Sequence, residues 1–199
     1  MNRALLATLA PLTLAAVAHA AGPIPPSSVL TGPEGTLRWT VSSTDDGVRV
    51  EGSSPKWSVK HRAKPDLTPV RTERTDETGT VVVTYSAEGA TVVRDGKTIE
   101  RERADLWDAD TLDLRLGSLS IAGPVDVRFH ALDPASGKVY EFQATDQGQG
   151  TCGPHACHRV QVKLAGLLAP LGPTFVYGYA PDGRLLSFSG PIGDFQAKE

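Results

Sequence analysis

The chain has 199 residues, 40% of them hydrophobic, with 20 Lys and Arg against 23 Asp and Glu and a formal charge of −3. That length suits one domain with a sizeable core and is short for two. The mildly acidic balance, with both signs scattered along the chain, argues against nucleic acid as the main partner, because such domains need a basic face to neutralise phosphates.

The first twenty residues, MNRALLATLAPLTLAAVAHA, have the three parts of a secretory signal: Arg3, an apolar stretch from Leu5 to Ala18, and Ala18-His19-Ala20 as a small-x-small cleavage site. Cleavage is predicted after Ala20. The stretch is about fourteen residues long and contains Pro11, whereas a spanning helix needs about twenty apolar residues, so no permanent membrane span is expected after cleavage. The first cysteine is Cys152, which leaves nothing near the cleavage site to take a lipoprotein's lipid. The expected location is extracytoplasmic, in the periplasm or cell envelope or secreted.

Residues 21–35 contain four prolines and three glycines and read as an extended lead-in, a tether that is partly ordered at best. Residues 36–199 then read as one antiparallel β domain, because short runs of Val, Thr, Tyr, Phe and Trp alternate with turn signals. Leu37 to Ser43 and Val48 to Gly52 flank Asp45-Asp46-Gly47, and Thr80 to Ala87 pairs with Ala90 to Arg94. Asp95-Gly96 joins that last strand to Lys97 to Arg103, since Asp-Gly supplies the positive φ angles of a two-residue turn. Leu112, Leu116 and Leu119 follow helical spacing behind Asp108 or Asp110 as a cap, which predicts a short helix over about 110–119. Its leucine stripe is expected to cover the concave face of the sheet.

Val125, Val127, Phe129 and Ala131 alternate with Asp126, Arg128 and His130, so this strand has one apolar and one wet face before the turn at 133–137. A strand from Lys138 to Thr145 follows. Val160, Val162 and Leu164 alternate again, and Phe175, Tyr177 and Tyr179 lead through Pro181-Asp182-Gly183 into a returning strand from Arg184 to Ser189.

Cys152-Gly153-Pro154-His155-Ala156-Cys157-His158 is the unusual cluster, and three readings stay open. A disulfide between Cys152 and Cys157 suits an exported chain with two cysteines and would pin the loop 147–156. Cys152, His155, Cys157 and His158 are also a two-sulfur, two-nitrogen set suited to copper or zinc, as a metal or redox module. The spacing C-x4-C-H, finally, is one step from a haem-attachment signature, although Met1 is the single methionine and leaves with the signal. His61 and His130 read as partly exposed residues of strand faces. Asp105, Asp108, Asp110 and Asp113 are read as helix capping and dipole residues, with calcium as the alternative. Trp39, Trp57 and Trp107 and the row Phe175, Tyr177, Tyr179 are core or sheet-face aromatics, or the lining of a ligand cleft. The chain carries no catalytic elbow, phosphate loop or His-Glu-x-x-His motif.

The stretches Ser54-Pro55-Lys56-Trp57-Ser58, Asp110-Thr111-Leu112, Lys138-Val139-Tyr140-Glu141-Phe142, Cys157-His158-Arg159-Val160-Gln161-Val162 and Tyr179-Ala180-Pro181-Asp182-Gly183-Arg184-Leu185-Leu186 resemble an uncharacterised family of exported bacterial β-proteins. Those proteins look like the lipoprotein-carrier half-barrel, a strongly curved antiparallel sheet with helix on its concave face. The resemblance implies a mainly β fold of that kind and carries no catalytic residues, and relatives of the half-barrel hold acyl chains or lipoproteins against that face. The resulting expectation is a non-enzymatic envelope protein, with no cofactor, that offers an apolar groove to a lipid or a partner protein. Trp57, Leu112, Leu116, Phe129, Val160, Val162, Phe175 and Tyr177 are the expected groove lining. A purely structural or interaction domain is the remaining alternative.

Overall fold

The structure, a computed structural model, describes residues 24–166 and 172–197. The signal segment and its cleavage site lie outside the described residues. Among those described, no helix is long and apolar enough to cross a membrane.

Hairpin follows hairpin in the first half of the chain, giving β1 (Ser28–Gly32), β2 (Gly35–Thr44), β3 (Gly47–Ser53), β4 (Trp57–Ala63), β5 (Pro69–Asp76), β6 (Gly79–Tyr85), β7 (Ala90–Arg94) and β8 (Lys97–Arg101). The turn between β7 and β8 shows why: Asp95 at φ 50° and Gly96 at φ 73° both adopt the positive angles that a tight hairpin demands. After the short β9 (Trp107–Asp108), a 3-10 turn over Ala109–Thr111 leads into α1 (Leu112–Ala122). Asp108 caps this start by accepting a hydrogen bond from the Asp110 backbone N–H at 2.8 Å, as the sequence predicts. The second half is again a meander: β10 (Asp126–Asp133), β11 (Lys138–Cys152), β12 (His155–Leu164), β13 (Thr174–Tyr179), β14 (Leu185–Gly190) and β15 (Gly193–Ala197).

All fifteen strands join one sheet, in the order β8-β7-β6-β5-β4-β3-β2-β1-β15-β14-β13-β12-β11-β10-β9. The two halves are welded by the first and last strands, with Leu30 opposite Ala197. The 21–35 tether is therefore corrected over its second half. Residues 28–32 are a central strand, because Leu30 is fully buried and Ser28 Oγ accepts the Leu185 N–H at 3.2 Å. The predicted loop 147–156 is corrected likewise. β11 runs on to Cys152 through a bulge between Asp146 and Gln149, and the chain reverses at Gly153, whose φ is 61°.

The sheet curls until its ends overlap, forming an open barrel. The overlap is held by side chains: Val81, Val83, Ala90 and Val92 of β6 and β7 pack on Leu106 and Leu132 beside β9 and β10. Arg101 Nε donates to the Gly137 carbonyl at 2.7 Å, and Arg94 donates to the Ala135 carbonyl. Inside the curl, α1 brings Leu112 and Leu116 against Trp107, Phe129, Phe142, Val160, Val162, Tyr177, Tyr179 and Phe195. This is the mainly β, strongly curved single sheet with a helix on its concave face that the sequence leads one to expect.

Candidate functional site

Most of the expected groove lining is core. Leu112, Leu116, Phe129, Val160, Val162 and Tyr177 are buried in the central cluster, and Trp57 and Phe175 pack half-buried against it. The concave face is thus filled by helix and aromatic side chains along most of its length. One end stays open. There Leu37, Trp39, Trp57, Tyr177, Leu185, Phe188 and Ile192 surround a chamber of about 120 Å³, and Asp110 and Asp113 line the same chamber. At Leu37, Trp57 and Ile192 it meets a basin of about 410 Å³, whose wall is completed by Phe195, by Pro33, Pro55 and Pro191 of three turns and by the Lys56–Glu34 ion pair.

Each wall residue is placed by strand alternation. Leu37 and Trp39 both face inward from β2, and β4 brings Trp57 within 5.6 Å of Trp39, ring centroid to ring centroid. Opposite Trp39 in the register stands Gly52, where a Cβ would fall 2.0 Å from Trp39 Cζ3. A glycine is required for the indole to lie on β3. Tyr177 and Phe188 pair across β13 and β14 with ring centroids 5.2 Å apart. Ile192, in the β14–β15 turn, is 48% exposed at the lip.

The carboxyl groups on the chamber's floor come from the start of α1. Burial pushes the Asp113 carboxyl up to about 7, although its backbone hydrogen bonds act the other way. Burial also raises Asp110, to about 8, and the neighbouring Asp108 adds to this while Arg74 opposes it. Arg74 Nη1 donates to Asp110 Oδ1 at 2.6 Å, and its guanidinium lies 5.3 Å from the Trp57 ring centroid. Asp110 Oδ2 is buried and has no hydrogen-bond partner.

Behind this floor lies a second polar cluster that alternation in β4 foreshadows, since Val59, His61 and Ala63 share a face. His61 is only 2% exposed, not the partly exposed face residue expected. Its Nδ1 is 2.8 Å from Thr72 Oγ1, and the Thr72 hydroxyl donates in turn to Asp108 Oδ2. Tyr85 donates to the same oxygen at 2.6 Å. Burial holds His61 below its ordinary value, so the ring is neutral, and the Thr72 oxygen accepts its Nδ1–H. The cluster is a fastening between sheet ends with its polar groups satisfied.

Elsewhere, Cys152 and Cys157 are joined across the tip of the β11–β12 hairpin, their Cα atoms 5.8 Å apart, which leaves neither as a free thiol. His155 is exposed, while His158 Nε2 is 2.7 Å from Asp146 Oδ2. The four residues of the two-sulfur, two-nitrogen set are not brought together around one point. Among the described residues, no three His, Cys, Asp or Glu side chains stand where they would share a metal ion, the acidic cluster near α1 included. His130 is half-buried on β10, 3.8 Å from Glu141. Asp110 and Asp113 are the site residues that capping logic hid, although Asp113 lies on one helical face with Leu116 and Gly117.

No protein-family model matches the sequence, and no curated protein matches it. Among solved structures, the β-barrel-like protein of a domain of unknown function, DUF1849, from Brucella abortus is similar at a TM-score of 0.61. The likeness covers 90% of this chain and 97% of that one at 9% identity. The chain therefore shares its β-barrel-like fold with an uncharacterised domain.

Proposed function

We propose that the chain is an exported, non-enzymatic binding protein of the cell envelope, and that the open end of its barrel takes the apolar part of a lipid-like amphiphile. The observation that carries this reading is the aromatic and aliphatic chamber at one end of the barrel, with Ile192 at its lip. The basin it meets lies within the range of about 300–1,000 Å³ typical of small-molecule sites. A disulfide in a chain with a signal-like start fits an oxidising compartment.

Native mass spectrometry of the protein purified from its own host tests this. A bound amphiphile, lost in Ile192→Asp, is the expected result. A bare mass, with no Trp fluorescence response to either decanol or decylammonium, would sink the reading. Co-purification of a protein seated on the same lip, with no amphiphile, would replace the lipid with a partner chain.

A further inference from the structure

We propose that the guest of this cleft is a protonated primary or secondary amine bearing an apolar chain, its ammonium group seated between Asp110 and Asp113 and its chain lying outward across Leu37, Trp57 and Ile192. This rests on the binding reading above and names the chemical class it takes.

Four features of the chamber converge on a cation. Its inner wall carries carboxyl groups where a fatty acid or a bare hydrocarbon tail would need apolar contact. Asp110 lines the chamber through a side chain only 11% exposed, and its buried Oδ2 has no hydrogen-bond partner. Trp39, Trp57, Tyr177 and Phe188 flank the chamber, and aromatic rings are the side chains whose negative faces attract a positive charge. The chain's own Arg74 demonstrates that chemistry by resting over Trp57 while bonded to Asp110.

Charge counting favours a second cation. Arg74 serves both Asp76, at 3.3 Å, and Asp110, at 2.6 Å, while Asp108 is held by the neutral donors Tyr85 and Thr72. Asp113 has no Lys, Arg or His within ion-pair distance among the described residues, and faces Tyr177 and Tyr179 of β13. Size and lining order the guest: the smaller chamber, which carries the carboxyl groups, holds the head, and the larger basin, where Leu37, Trp57, Ile192 and Phe195 stand beside the Lys56–Glu34 ion pair, holds the chain. The raised carboxyls make a secondary prediction. With the chamber empty, burial favours the protonated form of both carboxyls; a seated ammonium favours the ionised form, so binding releases protons. The groups facing Asp110 in this titration are Arg74 on β5, Asp108 on β9 and Asp133 on β10.

The test is calorimetry and Trp fluorescence on the oxidised full chain after export, titrated with decylammonium, decanol and decanoate at pH 7. Decylammonium is expected to bind about tenfold more tightly than decanol, and decanoate more weakly than either. Asp113→Asn and Asp110→Asn should each erase most of that preference, decylammonium affinity falling toward that of decanol, with circular dichroism showing that the variants fold. The heat should vary with buffer ionisation enthalpy in the sense of proton release. Equal or tighter binding of decanol or decanoate, still lost in Ile192→Asp, overturns the amine assignment and leaves the apolar cleft standing. No binding by any of the three overturns both.

Discussion

Tyr85 and Asp108 meet at 2.6 Å between β6 and β9, strands that lie near opposite ends of the sheet. The hydroxyl donates to Asp108 Oδ2, which also accepts from Thr72, while Asp108 Oδ1 caps the turn into α1. One buried carboxyl thus ties β5, β6 and the start of the helix together. Since the helix carries Asp110 and Asp113, the same tie sets the floor of the chamber. Closure of the barrel and shape of the site are one structural event.

Tyr85→Phe removes a hydrogen bond to a buried charged acceptor, a change that typically costs about 2 kcal/mol. In a chain of this size that corresponds to a fall in Tm of about 4–8 °C, readable by calorimetry or circular dichroism. An unchanged Tm would mean that the apolar overlap around Val83, Val92 and Leu132 holds the ends together without the hydroxyl.

The raised Asp113 carboxyl makes stability depend on pH in a defined sense. The folded state binds this proton more tightly than the unfolded chain, so its contribution is complete below about pH 4 and is lost as pH rises through about 7. Asp110 acts with the same sign up to about pH 8. His61 acts oppositely, because burial lowers its value and stability is withdrawn as pH falls below its ordinary 6.5. Asp113→Asn carries no such proton. Its Tm should gain on that of the wild type steadily between pH 4 and pH 8, and parallel curves across that range would contradict a buried, proton-holding Asp113.

Local chemistry made much of this fold readable. Asp-Gly turns and period-two alternation locate the β2–β3, β6–β7–β8 and β13–β14 hairpins, and they place Phe129, Val160, Val162 and Tyr177 on the inward face. Closure was not readable in this way, because β1 pairs with β15 from the far end of the chain and its flanking prolines suggest a tether. The site was hidden for a related reason. Aspartates at a helix start look like solvent-facing caps, and only the position of α1 inside the curl turns Asp110 and Asp113 inward. His61 gave a fainter signal, sharing its face with Val59 and Ala63, but its partner Asp108 arrives from a different part of the sheet.

The Cys152–Cys157 link closes a short loop at the tip of β11 and β12, where both sulfurs are buried with Ala180 and Leu186. Restricting so short a loop in the unfolded chain stabilises by about 2 kcal/mol. Paired substitution of both cysteines by serine should therefore lower Tm by about 4–8 °C. Because the hairpin tip is not part of the chamber lining, amine binding at 20 °C should persist in that variant. Loss of binding with Tm unchanged would place the hairpin, and not the barrel's open end, at the site.

Gly52 offers the sharpest separation of wall from floor. Its missing side chain lets Trp39 lie on β3, and a Cβ there would collide with Cζ3, Cε3 and Cη2 of the indole. Gly52→Ala must push the ring away, either into the chamber or out toward solvent. Both outcomes move Trp39 relative to Trp57, now 5.6 Å away, and change the intrinsic fluorescence. Overpacking of this kind costs about 1–3 kcal/mol, so the protein should still fold with a lowered Tm. Decanol and decylammonium should weaken together, because the ring serves chain and head alike. Asp113→Asn, in contrast, should weaken the amine far more than the alcohol. If Gly52→Ala shifts the fluorescence but leaves both affinities as in the wild type, Trp39 is not a wall of the binding site and the guest lies wholly in the larger basin.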